Sequence, residues 1–196
     1  MPTYGQYDVP KSDVMVNLGV GQPDNRKLPL NLVKNAMKKF IDEEDSNEVL
    51  QYGDIPGYQR FREKLADWLT KNNYKNIPEE MNPGPISKDE LFVTNGVTHA
   101  LHLIMTAYMY QEDTILVEDP SYFIMINIFK DFGLDVVPVP MEEDGINLEF
   151  LEKCLEKLCK EQDRVFLYTI PINHNPTGIT MSHEKRMLLA SLCDTY

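Results

Sequence analysis

The sequence predicts an α/β fold built on a largely parallel sheet, and three observations carry that prediction. Short runs of β-branched and aromatic residues alternate with longer segments of helical periodicity. The short runs are almost continuously apolar, as in strands covered on both faces. The alternation itself is the order that right-handed strand–helix–strand crossovers produce. With 196 residues, 42% of them hydrophobic and 26% charged, the chain is long enough for one large domain with an appendage.

In chain order, the first fifty residues stand apart. VNLGVGQPDNRKLPL reads as loop and NLVKNAMKKFIDEED as one amphipathic helix, so residues 1–46 form an N-terminal arm and 47–196 the body. DSNEVLQYGDIPGY leads into that body. Tyr58, Phe61, Leu65, Trp68 and Leu69 then recur at helical spacing, with Arg60, Arg62, Glu63, Lys64 and Asp67 expected on the opposite, solvated face. Strands are expected at 91–95 (LFVTN), 114–119 (TILVED), 135–141 (DVVPVPM) and 164–170 (RVFLYTI). Leu148, Leu151, Leu155 and Leu158 mark a helix between the last two. Met105, Met109 and Met125 read as core filling.

Several classes of function are disfavoured. A formal net charge of −12 argues against nucleic acid and anionic membrane surfaces as partners. No apolar run is long enough to span a bilayer, and MPTYGQYDVPKSD lacks a basic-then-apolar leader pattern. The three cysteines, Cys154, Cys159 and Cys193, lie in helical stretches at spacings unlike zinc ligation. They read as reduced, buried thiols of a cytosolic protein. His99 and His102, at i and i+3, read as partly buried helix residues rather than a metal pair.

In parallel α/β sheets ligands gather at the carboxyl ends of strands. The first such end, FVTNGVTHALHLI, turns at Gly96 into a helix whose free amides, with the Thr98 hydroxyl, could seat an anion; an ordinary Asn–Gly turn is the alternative. The second, LVEDPSYFIM, follows acidic Glu118–Asp119 with Pro120 and places Tyr122 near a helix start. Tyr122 could lie against a planar ring or simply pack on the sheet edge. The third, VPVPM, runs into the acidic turn MEEDG and names no chemistry. The fourth, PINHNPTGIT, surrounds Asn175 with Pro176, which disfavours the helical conformation, and Gly178, which permits positive φ. It holds an amide side chain at a strand terminus, and it is the strongest single signal in the chain. His174 beside it reads as a packed turn residue.

These stretches resemble a known family. P-x-x-x-N-P-T-G, here Pro171 to Gly178, is similar to the signature of fold type I pyridoxal-phosphate enzymes, especially class I/II aminotransferases. LQYGDIPGYQRFREKLADWL, TNGVTHAL, EDPSY and VNLGVGQPD resemble further segments of that family in the same order, nearest its aminoadipate, kynurenine and valine–pyruvate subgroup. The resemblance implies a three-layer α/β/α large domain, with residues 1–46 belonging to the small domain. It implies pyridoxal 5′-phosphate as cofactor and transfer of an amino group from an α-amino acid to a 2-oxo acid. It further implies a cytoplasmic homodimer. Position by position, Gly96, Val97 and Thr98 would hold the cofactor phosphate through backbone amides and the Thr98 hydroxyl, Val97 standing where family members often carry a hydroxyl. Tyr122 would stack on the pyridine ring and Asn175 would bond its phenolic oxygen. Tyr52 would reach the partner subunit's phosphate, and Gly21 would lie near the substrate carboxylate.

The resemblance also implies residues that this sequence lacks. The family's Schiff-base lysine, its ring-nitrogen aspartate and its carboxylate-gripping arginine follow the N-P-T-G turn, and no lysine of this chain follows a strand in a serine-rich turn, so none substitutes for the catalytic one. Of the family's seven strands, in the order 3-2-4-5-6-7-1, this chain would supply four. The expectation is therefore an N-terminal portion of an aminotransferase, inactive and poorly soluble by itself. Alternatives are a non-catalytic truncated paralogue or regulatory binding protein, and, lower, a carbon–sulfur lyase of the same fold. A nucleotide-binding reading from Gly19 and Gly21 lacks the third glycine and the strand–helix setting.

Overall fold

The structure, a computed structural model, describes residues 21, 23–43, 47–73 and 84–196. The expected N-terminal loop before Gly21, Gly19 included, lies outside them. The chain divides into two compact units, one ending at Leu91 and one spanning Phe92–Tyr196.

In the first unit, α1 (Leu30–Glu43) and α2 (Gln59–Asn73) form as their periodicity requires. No residue of α1 is buried, so Val33, Met37 and Ile41 stay exposed. On α2 the apolar face differs from expectation. Phe61 and Trp68 are 50% and 58% exposed, whereas Arg62 is only 5% exposed. The reason is local: Arg62 Nε donates to the Gly57 carbonyl at 3.0 Å and Nη1 to the Lys88 carbonyl at 2.9 Å. One guanidinium thereby satisfies two backbone acceptors. Ser87 and Glu90 close a capping box on the short 3₁₀ turn Lys88–Glu90 beneath it.

The second unit is a sheet with helices on both faces. Its elements are α3 (Val97–Tyr108), β1 (Thr114–Asp119), α4 (Phe123–Phe132), β2 (Asp135–Glu142), β3 (Gly145–Ile146), α5 (Leu148–Glu161), β4 (Val165–Tyr168) and α6 (His183–Thr195). The sheet order is β3-β2-β1-β4, with β1 parallel to both neighbours and β3 antiparallel to β2. The pleat of β1 divides the core. Ile115 and Val117 face Met105 of α3 and Met125 and Phe129 of α4; Leu116 faces Leu151 and Leu155 of α5 and Leu189 of α6. All these side chains are buried, and Leu116 is at 0% exposure. This is a three-layer α/β/α arrangement with an incomplete sheet.

Chain direction explains which helix goes where. The step β1–α4–β2 moves to one side of β1, and β2–α5–β4 crosses back to the other, so two crossovers of one hand land on opposite faces. The expected strands at 114–119, 135–141 and 164–170 are therefore neighbours, although β4 is shorter than predicted.

Three expectations are corrected here. Residues 91–95 are not a strand: no described segment pairs with them, and an apolar run without a ladder partner stays irregular. The fourth strand is instead β3, formed where MEEDG turns back on β2 at Gly145 (φ +130°). Cys154 and Cys159 are half-buried but Cys193 is exposed, and so is His102, while His99 is half-buried.

Candidate functional site

The site-bearing segments of the second unit converge at the carboxyl end of its sheet. Helix α3 reaches β1 through the short connection Met109–Asp113 and packs along it. Its N-terminus therefore points toward the strand's carboxyl end. That N-terminus is uncapped: Gly96 sits at φ +91° and no side chain accepts from the first turn. The first backbone bond into it is Ala100 N to Gly96 O at 3.1 Å, which leaves the amides of Val97, Thr98 and His99 without acceptors among the described residues. Val97 and Thr98 are exposed. Asn95 N donates to His99 Nδ1 at 3.1 Å and Thr94 Oγ1 to the Gly96 carbonyl at 3.1 Å, so the turn is braced while its amides stay open.

Beyond β1 the peptide Asp119–Pro120 is cis, and Tyr122 follows as the residue before α4. Tyr122 is half-buried against the α3/α4 core and meets Phe123 edge-on at 5.8 Å. Beside it, burial, with the Glu118 carboxylate and Tyr122 adding to it, pushes the Tyr168 phenol above its ordinary value.

Beyond β4 the segment 171–181 closes on itself. Met181 N donates to Pro171 O at 2.8 Å, His174 N to Ile179 O at 2.8 Å, and Gly178 N to His174 O at 2.6 Å. Gly178 takes φ +74° and Asn175–Pro176 is cis. Asn175 is exposed at the tip, with no hydrogen-bond partner for its amide among the described residues. His174, by contrast, is 2% exposed, packed as the sequence suggested.

What sequence reasoning missed lies between these turns. Glu118 is 1% exposed. Its Oε1 accepts from Thr169 Oγ1 at 2.7 Å, its Oε2 accepts from Ile170 N at 2.8 Å, and His174 Nε2 lies 3.2 Å from Oε2. That last contact is close but not aligned as a hydrogen bond. His174 Nδ1 lies 2.8 Å from Thr177 Oγ1. A second buried ionic group, Lys185, is bound to Asp144 and Glu142. The sequence hinted at Glu118 only by placing it at the end of the apolar run TILV, and it gave no hint to Lys185, which stands in the polar stretch SHEKR.

In the first unit, Gly21 and Tyr52 are exposed, Tyr52 completely, and a Cβ on Gly21 would meet nothing within 4 Å. The exposed α3 amides suit a phosphate, the Asn175 amide suits an oxygen acceptor, and the half-buried Tyr122 offers an aromatic face. The donor set thus fits a planar, phosphorylated ring.

Comparison with known proteins bears on this geometry. Residues 13–196 match the family described as aminotransferase class I and II. The aromatic-amino-acid aminotransferase 1 of Thermococcus litoralis is 33% identical over 189 residues, covering 96% of this chain and 43% of that protein. The crystal structure of a multiple substrate aminotransferase from Thermococcus profundus superposes with a TM-score of 0.75 at 31% identity, over 90% of this chain and 41% of that one. That of Pyrococcus horikoshii kynurenine aminotransferase, solved with PMP, superposes at 0.72 with 27% identity, over 89% and 41%. The chain spans less than half the length of each.

Proposed function

This chain belongs to the aminotransferase class I and II family, and on that footing we propose that it binds pyridoxal 5′-phosphate and serves transfer of an amino group from an α-amino acid to a 2-oxo acid. The observation that carries this reading is the pairing of an uncapped α3 N-terminus with an unpartnered Asn175 amide, both at the carboxyl end of one sheet. When bound, the cofactor supplies the electron sink and carries the amino group between the two substrates.

Within this proposal, Gly96, Val97 and Thr98 present backbone amides and the Thr98 hydroxyl to the phosphate. Tyr122 packs on the ring, and Asn175 donates to its phenolic oxygen. Tyr52 crosses to the phosphate of the second subunit of a homodimer, a role its complete exposure leaves open to it. Gly21 gives the substrate carboxylate close access to backbone. Residues 47–196 act as the cofactor-binding part and 1–46 as the arm, in the cytoplasm. We assign no residue of this chain the role of the family's covalent lysine, ring-nitrogen aspartate or carboxylate-binding arginine; Lys185, the buried lysine of the second unit, is already held by Glu142 and Asp144.

The test is calorimetric titration of the full chain with 4′-deoxypyridoxine 5′-phosphate, a cofactor analogue that cannot react with lysine. Binding that weakens about tenfold in Asn175→Ala and in Thr98→Ala, one hydrogen bond to a charged or polarised ligand each, is the expected result. Wild-type affinity in both variants would end the assignment.

A further inference from the structure

We propose that Glu118 is a positioning residue that sets the spacing between the Tyr122 turn and the Asn175 turn; this rests on the cofactor reading above. The β1–β2 ladder continues to Asp119↔Pro140, but the β1–β4 ladder stops two pairs earlier, at Val117↔Tyr168. Where the backbones part, the Glu118 side chain replaces them. Its Oε2 takes the Ile170 amide that a longer ladder would have bonded, and its Oε1 takes the Thr169 hydroxyl.

The location follows from topology. β1 and β4 are neighbours, yet β1 leads to α4 on one face and β4 leads through 169–182 to α6 on the other. Adjacent parallel strands that send their connections to opposite faces leave a crevice between them, and ligands bind in such crevices. Glu118 spans the floor of this one. Four residues after it in sequence stands Tyr122, and the third group at its carboxylate, His174 Nε2 at 3.2 Å, belongs to the residue preceding Asn175. On its other side the His174 ring is hydrogen-bonded to Thr177 Oγ1 at 2.8 Å, across the tip that carries Asn175.

A buried carboxylate is stable only with such donors, and losing its charge or its acceptors frees all of them together. Gln at this position keeps size and one acceptor oxygen but gives up the second. Tyr122 and Asn175 would then hold the same side chains at an altered separation. Glu118 touches neither the proposed ring nor the phosphate, and its two hydrogen bonds go to Thr169 and Ile170, so it acts on the segment that leads to Asn175.

That indirectness gives the test. In the full chain, the dissociation constant of 4′-deoxypyridoxine 5′-phosphate is measured for wild type, Glu118→Gln, Asn175→Ala and the double variant, alongside thermal melting without ligand. We expect about a fivefold loss for Glu118→Gln, about tenfold for Asn175→Ala, and no more than about tenfold for the double variant, because residues that act through one another are not additive. Multiplied losses in the double variant, or a Glu118→Gln affinity within twofold of wild type, overturn the positioning role and leave the cofactor reading intact. No binding by wild type overturns both. If Glu118→Gln fails to fold, Thr169→Val, which removes one donor to the same carboxylate, replaces it with the same pattern expected.

Discussion

Lys185 Nζ donates to Asp144 Oδ1 at 2.6 Å and to the Glu142 carboxylate, tying the first turn of α6 to the β2–β3 hairpin. Ser182 completes the joint by capping α6 through Lys185 N at 3.2 Å. The lysine is 8% exposed overall while both carboxylates keep contact with solvent. In Lys185→Met the stem's packing is retained and the freed carboxylates hydrate, so the loss is held to about 1–2 kcal/mol, a few degrees of melting temperature.

The same joint predicts a pH window. Burial alone would pull the Lys185 ammonium down, but its bonds to Asp144 and Glu142 outweigh that and hold it above its ordinary value. The hydrogen bond from Lys185 holds the Asp144 carboxyl below its own. A depressed carboxyl stabilises above its unfolded value, about 3.9, and that contribution fades as pH falls through the folded one. A raised lysine stabilises below about 10.4 and fades as pH rises through its folded value. Melting curves should therefore show the wild-type advantage over Lys185→Met as a plateau at neutral pH that shrinks at both extremes. An advantage independent of pH would assign the effect to packing.

Glycines separate strain from crowding. Gly96 (φ +91°, ψ 175°) has nothing within 4 Å of an added Cβ, so Gly96→Ala costs only backbone strain, about 1–3 kcal/mol. At Gly145 (φ +130°) the new Cβ would stand 2.7 Å from Met181 Cγ, inside the core. Urea unfolding should show Gly145→Ala as the more damaging by about 1–3 kcal/mol, the cost of overpacking; equal losses would mean that Met181 moves aside freely.

Thiol reactivity should follow burial. Desolvation pushes the Cys154 thiol up, with the nearby Lys157 only partly opposing it, whereas Cys193 is exposed. Because the thiolate is the reactive form, timed alkylation read by mass spectrometry should label Cys193 first and Cys154 far more slowly. Simultaneous labelling would show that α5 opens readily.

How far the sequence could be read depended on how local each interaction is. Strands β1, β2 and β4 and helix α5 announced themselves through runs and spacings of a few residues. The Asn175 turn was legible for the same reason, since Pro176 and Gly178 constrain their own backbone. Residues 91–95 misled because a strand needs a partner, and an apolar run says nothing of one. Arg62 misled because its acceptors, Gly57 and Lys88, are backbone carbonyls that no side-chain pattern reveals. Glu118 and Lys185 escaped because their partners are distant, 51 and 52 residues along for Glu118 and 41 and 43 for Lys185.

Val97 offers a gain rather than a loss. It is the first residue of α3 and is 71% exposed, so its side chain contributes little to packing. Relatives with a hydroxyl at this position would have one more donor for a bound phosphate. Val97→Ser restores that donor at a helix N-terminus, where serine is well tolerated, so melting without ligand should stay within about 0.5 kcal/mol of wild type. An exposed hydrogen bond to a charged acceptor is worth the lower part of the usual range, so affinity for 4′-deoxypyridoxine 5′-phosphate should rise about three- to tenfold. The dephosphorylated analogue is the control, and its affinity should not change. Equal gains for both ligands would place the new hydroxyl against the ring, and the α3 amides would then lose their assignment to the phosphate.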